Sequence, residues 1–240
     1  MIPAKTILVL LLAVVSCVAM VGCFKEQQTL SKPVFLKGKP SAKKVPMRTW
    51  DARSGTKLIL DQKGRVLNGA EHWKNADDAS AIAILNRLKG GLLVTVEVSD
   101  NTLVIGRENF FENDCVELYF DLRPARLANR DSYEKGVFKI SLVPANGKDG
   151  KPRVDMFPEY EYMKLAGVEV SHEKCMRGYR VQVYFSKSWL QKEVFLPRKN
   201  FGFDFGIKDT DGNRKMKEMV WHGTLLNWAH PKDFGSVTLP

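Results

Sequence analysis

The stretch Leu92-Leu93-Val94-Thr95-Val96-Glu97-Val98-Ser99 decides the reading of the fold. Leu92, Val94, Val96 and Val98 alternate with Leu93, Thr95, Glu97 and Ser99, a period of two that sets an apolar face against a mixed one and marks a half-buried strand. The same period returns in Val116-Leu118-Phe120 against Glu117-Tyr119-Asp121 and in Phe138-Ile140-Leu142 against Lys139 and Ser141. It returns again in Tyr179-Val181-Val183-Phe185 and in Phe201-Phe203-Phe205-Ile207, whose partners include Asp204 and Lys208. Turn signals separate these runs: Lys89-Gly90-Gly91, Asn146-Gly147, Lys148-Asp149-Gly150, Arg177-Gly178 and Asp211-Gly212-Asn213. Strands and turns without intervening amphipathic helices predict an all-β chain, an antiparallel two-sheet β-sandwich of jelly-roll-like form. Helical turns are expected only within Asp77 to Asn86 and Ser186 to Gln191. The two longest connections, Leu122 to Gly136 and Ala145 to Ala166, are expected to be functional or mobile loops.

Working outward, the N-terminal end has a different character. Ile7 to Val21 is an apolar run of 15 residues, interrupted only by Ser16 and Cys17 and preceded by Lys5. That is the h-region of a signal peptide, and it is shorter than the roughly 20 residues a membrane-crossing helix needs. It ends in Met20-Val21-Gly22-Cys23, where a small residue before cysteine marks a lipoprotein cleavage site, with Cys23 as the acylated N-terminus. Cys17 is a second candidate, but cleavage there would leave Val18 to Gly22 exposed. The expected organisation is therefore a signal peptide over 1–22, a lipid-anchored basic tether over 23–46, and one sandwich domain over 47–240. The tether carries six lysines against Glu26, together with Pro33, Pro40 and Pro46.

The net charge of +10 is mostly a property of this leader, because the tether and Lys5 hold +6 of it. A basic tether beside an anionic membrane accounts for the lysines at about 1 kcal/mol each, and no basic-aromatic cluster on the domain suggests nucleic acid. The expected location is the bacterial cell envelope, on its periplasmic or cell-surface face, with the protein a monomer. Cys115 and Cys175 are an even pair in an oxidising location, open to a disulfide or to two separate thiols.

The residues offer no catalytic machinery. There is no G-x-S-x-G, no H-E-x-x-H and no phosphate loop. Glu117 and Asp121 share a strand face, but four residues separate their Cα atoms by about 13 Å, wider than a glycosidase pair. Asp209-Thr210-Asp211-Gly212-Asn213 starts like a calcium loop, yet position 12 from Asp209 is Val220, so a hairpin turn is the reading adopted. Trp73, Trp189 and Trp221 are read as packing residues, and Trp228 as exposed in a polar loop.

Four blocks, in order, resemble the family 9 carbohydrate-binding modules over roughly Trp73 to Leu239. They are His72-Trp73-Lys74-Asn75-Ala76-Asp77-Asp78 followed by the 91–101 strand; Phe111-Glu112-Asn113-Asp114-Cys115-Val116-Glu117-Leu118-Tyr119-Phe120-Asp121; Gly178-Tyr179-Arg180-Val181 with Trp189 and Phe201-Gly202-Phe203-Asp204; and Val220-Trp221-His222-Gly223 with Asn227-Trp228-Ala229-His230-Pro231. The resemblance implies non-catalytic binding of an oligosaccharide or polysaccharide, with a terminal sugar held between two aromatic side chains. The matching positions are Phe111 and Trp228, with Glu117 as hydroxyl acceptor and Lys139 and Asn227 as further contacts. Flat stacking suits a pyranose, whose faces are apolar and whose rim is hydroxyl. The family commonly has Trp where this chain has Phe111. No cofactor is expected, although the resemblance allows structural calcium, with Asp77, Asp78, Asp100 and Asp114 as unranked ligands. Two other readings stand beside this one. One is haem held between a histidine (His72, His172, His222, His230) and a methionine (Met156, Met163, Met176, Met219), without a C-x-x-C-H attachment site. The other is a structural or adhesive lipoprotein that kept the fold and lost the pocket.

Overall fold

A computed structural model describes residues 48, 54–124, 132–144, 152–158, 166–212 and 215–240. The chain divides into two units, Met1–Phe35 and Leu36–Pro240, and every described residue belongs to the second. Cys23, the tether lysines and Met163 lie outside the described residues.

Among the described residues twelve strands follow one another: β1 (Thr56–Leu60), β2 (Val66–Asn68), β3 (Ala79–Leu88), β4 (Gly91–Asp100), β5 (Cys115–Asp121), β6 (Val137–Val143), β7 (Arg153–Phe157), β8 (Val168–Cys175), β9 (Gly178–Ser186), β10 (Asn200–Asp211), β11 (Lys215–Val220) and β12 (Gly235–Thr238). Among the described residues there is one α-helix, α1 (Lys187–Glu193), started by Ser186, whose side chain accepts from the Trp189 N–H. The five-stranded sheet runs β1-β3-β4-β9-β8 and the seven-stranded sheet β2-β11-β10-β5-β6-β7, with β12 also paired to β10. All recorded pairings are antiparallel.

The period-two positions meet between the sheets. Leu92, Val94, Val96 and Val98 from β4 share one core with Val116, Leu118 and Phe120 from β5 and with Phe201, Phe203, Phe205 and Ile207 from β10. Phe120 stacks on Phe138 at 4.7 Å between ring centroids and meets Phe185 of the opposite sheet edge-on at 5.3 Å. Such pairs add about 0.5–1.5 kcal/mol each beyond the area they bury. Trp189 is buried in this core, and Trp73 and Trp221 pack against it.

Several expectations change. Asp77 to Asn86 holds no helix: a turn closed by Asp78 N–H to Asn75 O leads into the ten-residue strand β3. Short-range polarity misled there, because Ala79, Ala81 and Ala83 face the core with little side chain to announce it. The connection 145–166 contains β7, paired to β6. Strand β4 is buried on both faces at its middle, since the Gln182 side chain, which donates to Thr95 Oγ1, also bonds the main chain of Arg48 laid across it. Cys115 and Cys175 are free thiols, Cys115 buried at the start of β5 and Cys175 at the end of β8 in the other sheet. Asp209 to Asp211 are the last residues of β10, paired with Lys217 to Lys215 of β11, and Gly212 follows at φ +39°, so the stretch belongs to a hairpin, as expected.

Candidate functional site

The outer face of the seven-stranded sheet is polar at its centre. Register sets Glu117 between Ser141 on β6 and Gly206 on β10, and Tyr119 between Lys139 and Asp204. Glu117 is buried and caged: Lys139 Nζ donates to Oε1 at 2.9 Å, Ser141 Oγ to the same oxygen at 3.3 Å, and the Tyr119 hydroxyl to Oε2 at 2.8 Å. Burial by itself would push this carboxyl up. The charges of Lys139 and Lys208 and the hydrogen bonds from Lys139 and Tyr119 outweigh it and hold the carboxyl at about 2. Lys208, the next polar position on β10 beyond Gly206, pairs with Glu218 at 3.1 Å.

Phe111 sits over the Lys208 end of this bed. Its ring centroid lies 4.7 Å from Lys208 Nζ and 5.5 Å from Lys139 Nζ, so two ammonium groups approach one half-buried ring. The loop that carries it is folded around Asn113. That fully buried side chain accepts from Arg107 N–H at 2.8 Å and donates to the Asn109 and Phe110 carbonyls at 2.6 and 3.1 Å. Arg153 braces the same loop from β7, donating to the carbonyls of Arg107 and Glu108.

Trp228 lies on the turn after β11, at the Asp204 end of the bed. It is 43% exposed, and its neighbours Leu225 and Leu226 are exposed as well. Asn227, beside it, points the other way. Its Nδ2 donates to Asp204 Oδ2 at 2.9 Å, its Oδ1 accepts from Thr224 N–H at 2.9 Å, and its main-chain carbonyl accepts from the Tyr133 hydroxyl at 2.7 Å. Asp204 and Lys208 are four residues apart on one strand face, so the anchor points of the two aromatic residues lie about 13 Å apart.

Of the residues picked from the sequence, Phe111, Glu117 and Lys139 are thus brought into one cluster, and Trp228 follows Asn227, which is tied to Asp204 of the same sheet. Asn227 is 1% exposed, with its side chain engaged inside the turn, so the geometry gives it a bracing place instead of an open one. Glu117 likewise spends both oxygens on protein donors. Tyr119, Ser141 and Lys208 belong to the bed, and Asn113 and Asp204 to its supports, and none was singled out. Asp204 and Lys208 did carry a signal, as polar partners in an alternating strand, but only strand pairing shows that they share a face with Glu117.

A second cluster closes one end of the space between the sheets. Lys217, fully buried, places Nζ 2.9 Å from Asp78 Oδ2, 2.7 Å from Asp209 Oδ2 and 2.8 Å from Asp211 Oδ2. Its ammonium fills the position a metal ion would take among those three. Asp209 also faces Asp100 and Asp114, and one oxygen from each of these three buried carboxylates falls within 4.8 Å of the others. Asp114 accepts from the N–H groups of Thr210 and Val104, and Asp100 Oδ1 from Thr102 N–H. Among the described residues Asp100 Oδ2 and Asp209 Oδ1 have no hydrogen-bond partner, and Asp209 Oδ2 approaches Lys217 off the hydrogen-bonding direction. Burial, opposed by its two backbone donors, pushes Asp114 up to about 8, and burial raises Asp209 to about 7 against the pull of Lys217. Five carboxylates therefore share one buried ammonium, a donor set of hard oxygens that fits calcium. Asp77, a candidate by sequence, is exposed and pairs with Arg177.

The comparisons with known proteins agree with this architecture. A family model described as "Carbohydrate family 9 binding domain-like" matches residues 62–240. No curated protein matches the chain. A family 9 carbohydrate-binding module from Caldicellulosiruptor kristjanssonii in complex with glucose superposes with a TM-score of 0.59 at 18% identity, covering 85% of this chain and 92% of that one. The same organism's module in complex with cellotriose gives a TM-score of 0.57 at 16% identity, covering 86% and 89%. At these identities the likeness is one of fold.

Proposed function

The chain belongs to the carbohydrate family 9 binding domain-like family, and from that membership we propose that it binds carbohydrate without transforming it, on the outer face of the seven-stranded sheet. The observation that carries this is an exposed tryptophan, Trp228, on a turn that Asn227 ties to Asp204, the strand neighbour of Tyr119 in the polar bed of Glu117, Lys139 and Phe111. Exposed aromatic faces give a sugar its stacking surface, and fixed charged groups orient its hydroxyls. In this reading Trp228 is the principal platform and Phe111 the second. The hydroxyl-directed groups are Lys139 and Glu117, which is an ionised acceptor held ready by its cage. Asn227 serves by bracing the turn.

Calorimetric titration with cellotriose and glucose, alongside a glycan array, tests the reading. Trp228→Ala is expected to weaken the best ligand at least about tenfold, roughly 1.4 kcal/mol, while the thermal midpoint stays unchanged. Equal binding by the variant, or no binding of any glycan by the wild type, would reject it.

Two further parts of the reading rest on other residues. The first is a lipid anchor at Cys23, which would hold the domain at the bacterial envelope; intact-mass measurement of the membrane-extracted protein checks for the acyl chains. The second is a structural calcium ion held by Asp100, Asp114 and Asp209. It would supply positive charge and tie together the ends of β4 and β10 with the residue before β5. The haem reading has no comparable support: Met156 and Met219 are buried and Met176 is 97% exposed.

A further inference from the structure

Asp204 has a role that strand pairing alone does not require. Its main chain pairs with Tyr119 as any β10 residue would. Its side chain, fully buried, leaves the ladder to organise the turn after β11. Oδ1 accepts from its neighbour Phe205 N–H at 2.8 Å and from His222 N–H at 3.1 Å. Oδ2 accepts from Gly223 N–H at 2.6 Å and from Asn227 Nδ2 at 2.9 Å. Four neutral N–H groups, three of them on the turn, are thus satisfied by one carboxylate. An amide in its place has a single acceptor oxygen and would aim an N–H at Gly223 N–H and Asn227 Nδ2.

The turn is closed tightly around that carboxylate. A Cβ on Gly223 would lie 2.2 Å from Asn227 Oδ1 and 2.7 Å from Asp204 Oδ2, so only glycine fits there. Asn227 then locks Thr224 through its Oδ1, and the next residue in the chain is the exposed Trp228. Burying a carboxylate is costly and is sustained here by directed donors, which also makes the arrangement stiff. A stiff support matters for a stacking platform, because a ring that must be ordered on binding loses affinity to that ordering.

We infer that Asp204 is a positioning residue for sugar binding: through His222, Gly223 and Asn227 it holds the turn in the one pose that presents Trp228 to the ligand. The inference rests on the reading of Trp228 as a platform, and its test separates the two. Asp204→Asn and the double variant Asp204→Asn with Asn227→Asp, which exchanges donor and acceptor across the same bond, are compared with wild type. Three measurements are made on each: thermal midpoint, hydrogen exchange of the 222–227 amides, and titration with cellotriose. Asp204→Asn is expected to speed exchange at Gly223 and Asn227 and to weaken cellotriose about tenfold, mostly in the off-rate. The double variant restores the 204–227 bond but still turns an N–H towards a main-chain donor of the turn, so it is expected to regain part of the affinity while exchange at Gly223 stays fast. Wild-type exchange and wild-type affinity in Asp204→Asn would overturn the inference. So would a loss of affinity that comes with a fall in thermal midpoint but with wild-type exchange at Gly223 and Asn227. If the wild type itself ignores cellotriose, the exchange data still decide whether Asp204 holds the turn, and the platform reading alone is in question.

Discussion

At the scale of single residues, buried charge is what sets this protein apart from a plain apolar sandwich. Glu117 and Lys139 form an ion pair beneath the outer surface of a sheet, and removing one partner of such a pair strands the other. The pairing also fixes a pH dependence. The Glu117 carboxyl lies at about 2 in the folded protein against an ordinary value of 4.5. Its contribution to stability is therefore complete above pH 4.5 and is lost as the pH falls through about 2. Urea unfolding followed across that window should show Glu117→Gln losing on the order of 3 kcal/mol of the acid-side dependence seen in wild type. An unchanged dependence in the variant would mean that Glu117 is not ionised and paired as described.

At the scale of elements, the candidate face depends on two loops that are held in different ways. The turn after β11 is built on a carboxylate from β10. The loop before β5 is built on a carboxamide, with Asn113 supplying both ends of its amide to the main chain of Arg107, Asn109 and Phe110. Truncating that side chain leaves buried carbonyls and an N–H without partners at about 1–3 kcal/mol for each such group, softened where water enters. Asn113→Ala should accordingly lower the urea midpoint by the equivalent of about 2–3 kcal/mol and release Phe111 from Lys208 and Lys139. A midpoint within error of wild type would show that the loop is held by Arg153 instead. Strand β10 is the element on which both sites converge. Its outward residues Asp204 and Lys208 serve the bed, and its inward residue Asp209 serves the acidic cluster.

At the scale of the whole molecule, the two sheets are joined by an apolar core and, at one end, by charge. The acidic cluster links β4 to β10 and β11 and to the residues before β3 and β5, so its neutralisation bears on the entire sandwich. On the proposal that the cluster binds calcium, the ion at about a hundredfold excess over its dissociation constant is expected to add about 2.7 kcal/mol, raising the thermal midpoint of a domain of this size by roughly 5–10 °C. Chelator should reverse the gain and Asp114→Asn should abolish it; a midpoint indifferent to calcium, with binding absent in calorimetry, would sink the calcium site. The alternation in residues 92–99, 116–121, 138–142, 179–185 and 201–207 was enough to define the sandwich, because burial of every second residue follows from local strand geometry. The residues of the candidate bed were partly legible too, through a family pattern that names Phe111, Glu117, Lys139 and Trp228. The sequence also set the basic character of the stretch before residue 47 and the period-two core. Which polar residues meet was decided only by tertiary structure: Gly206 and Asp204 face Glu117 and Tyr119 across a ladder joining segments more than 80 residues apart. That register also turned Asn227 inward onto Asp204, put Lys217 among three aspartates, and kept Cys115 and Cys175 in separate sheets. Alternation is a property of one strand, whereas a binding face is a property of how several strands are paired, and pairing is fixed by the packed core as a whole.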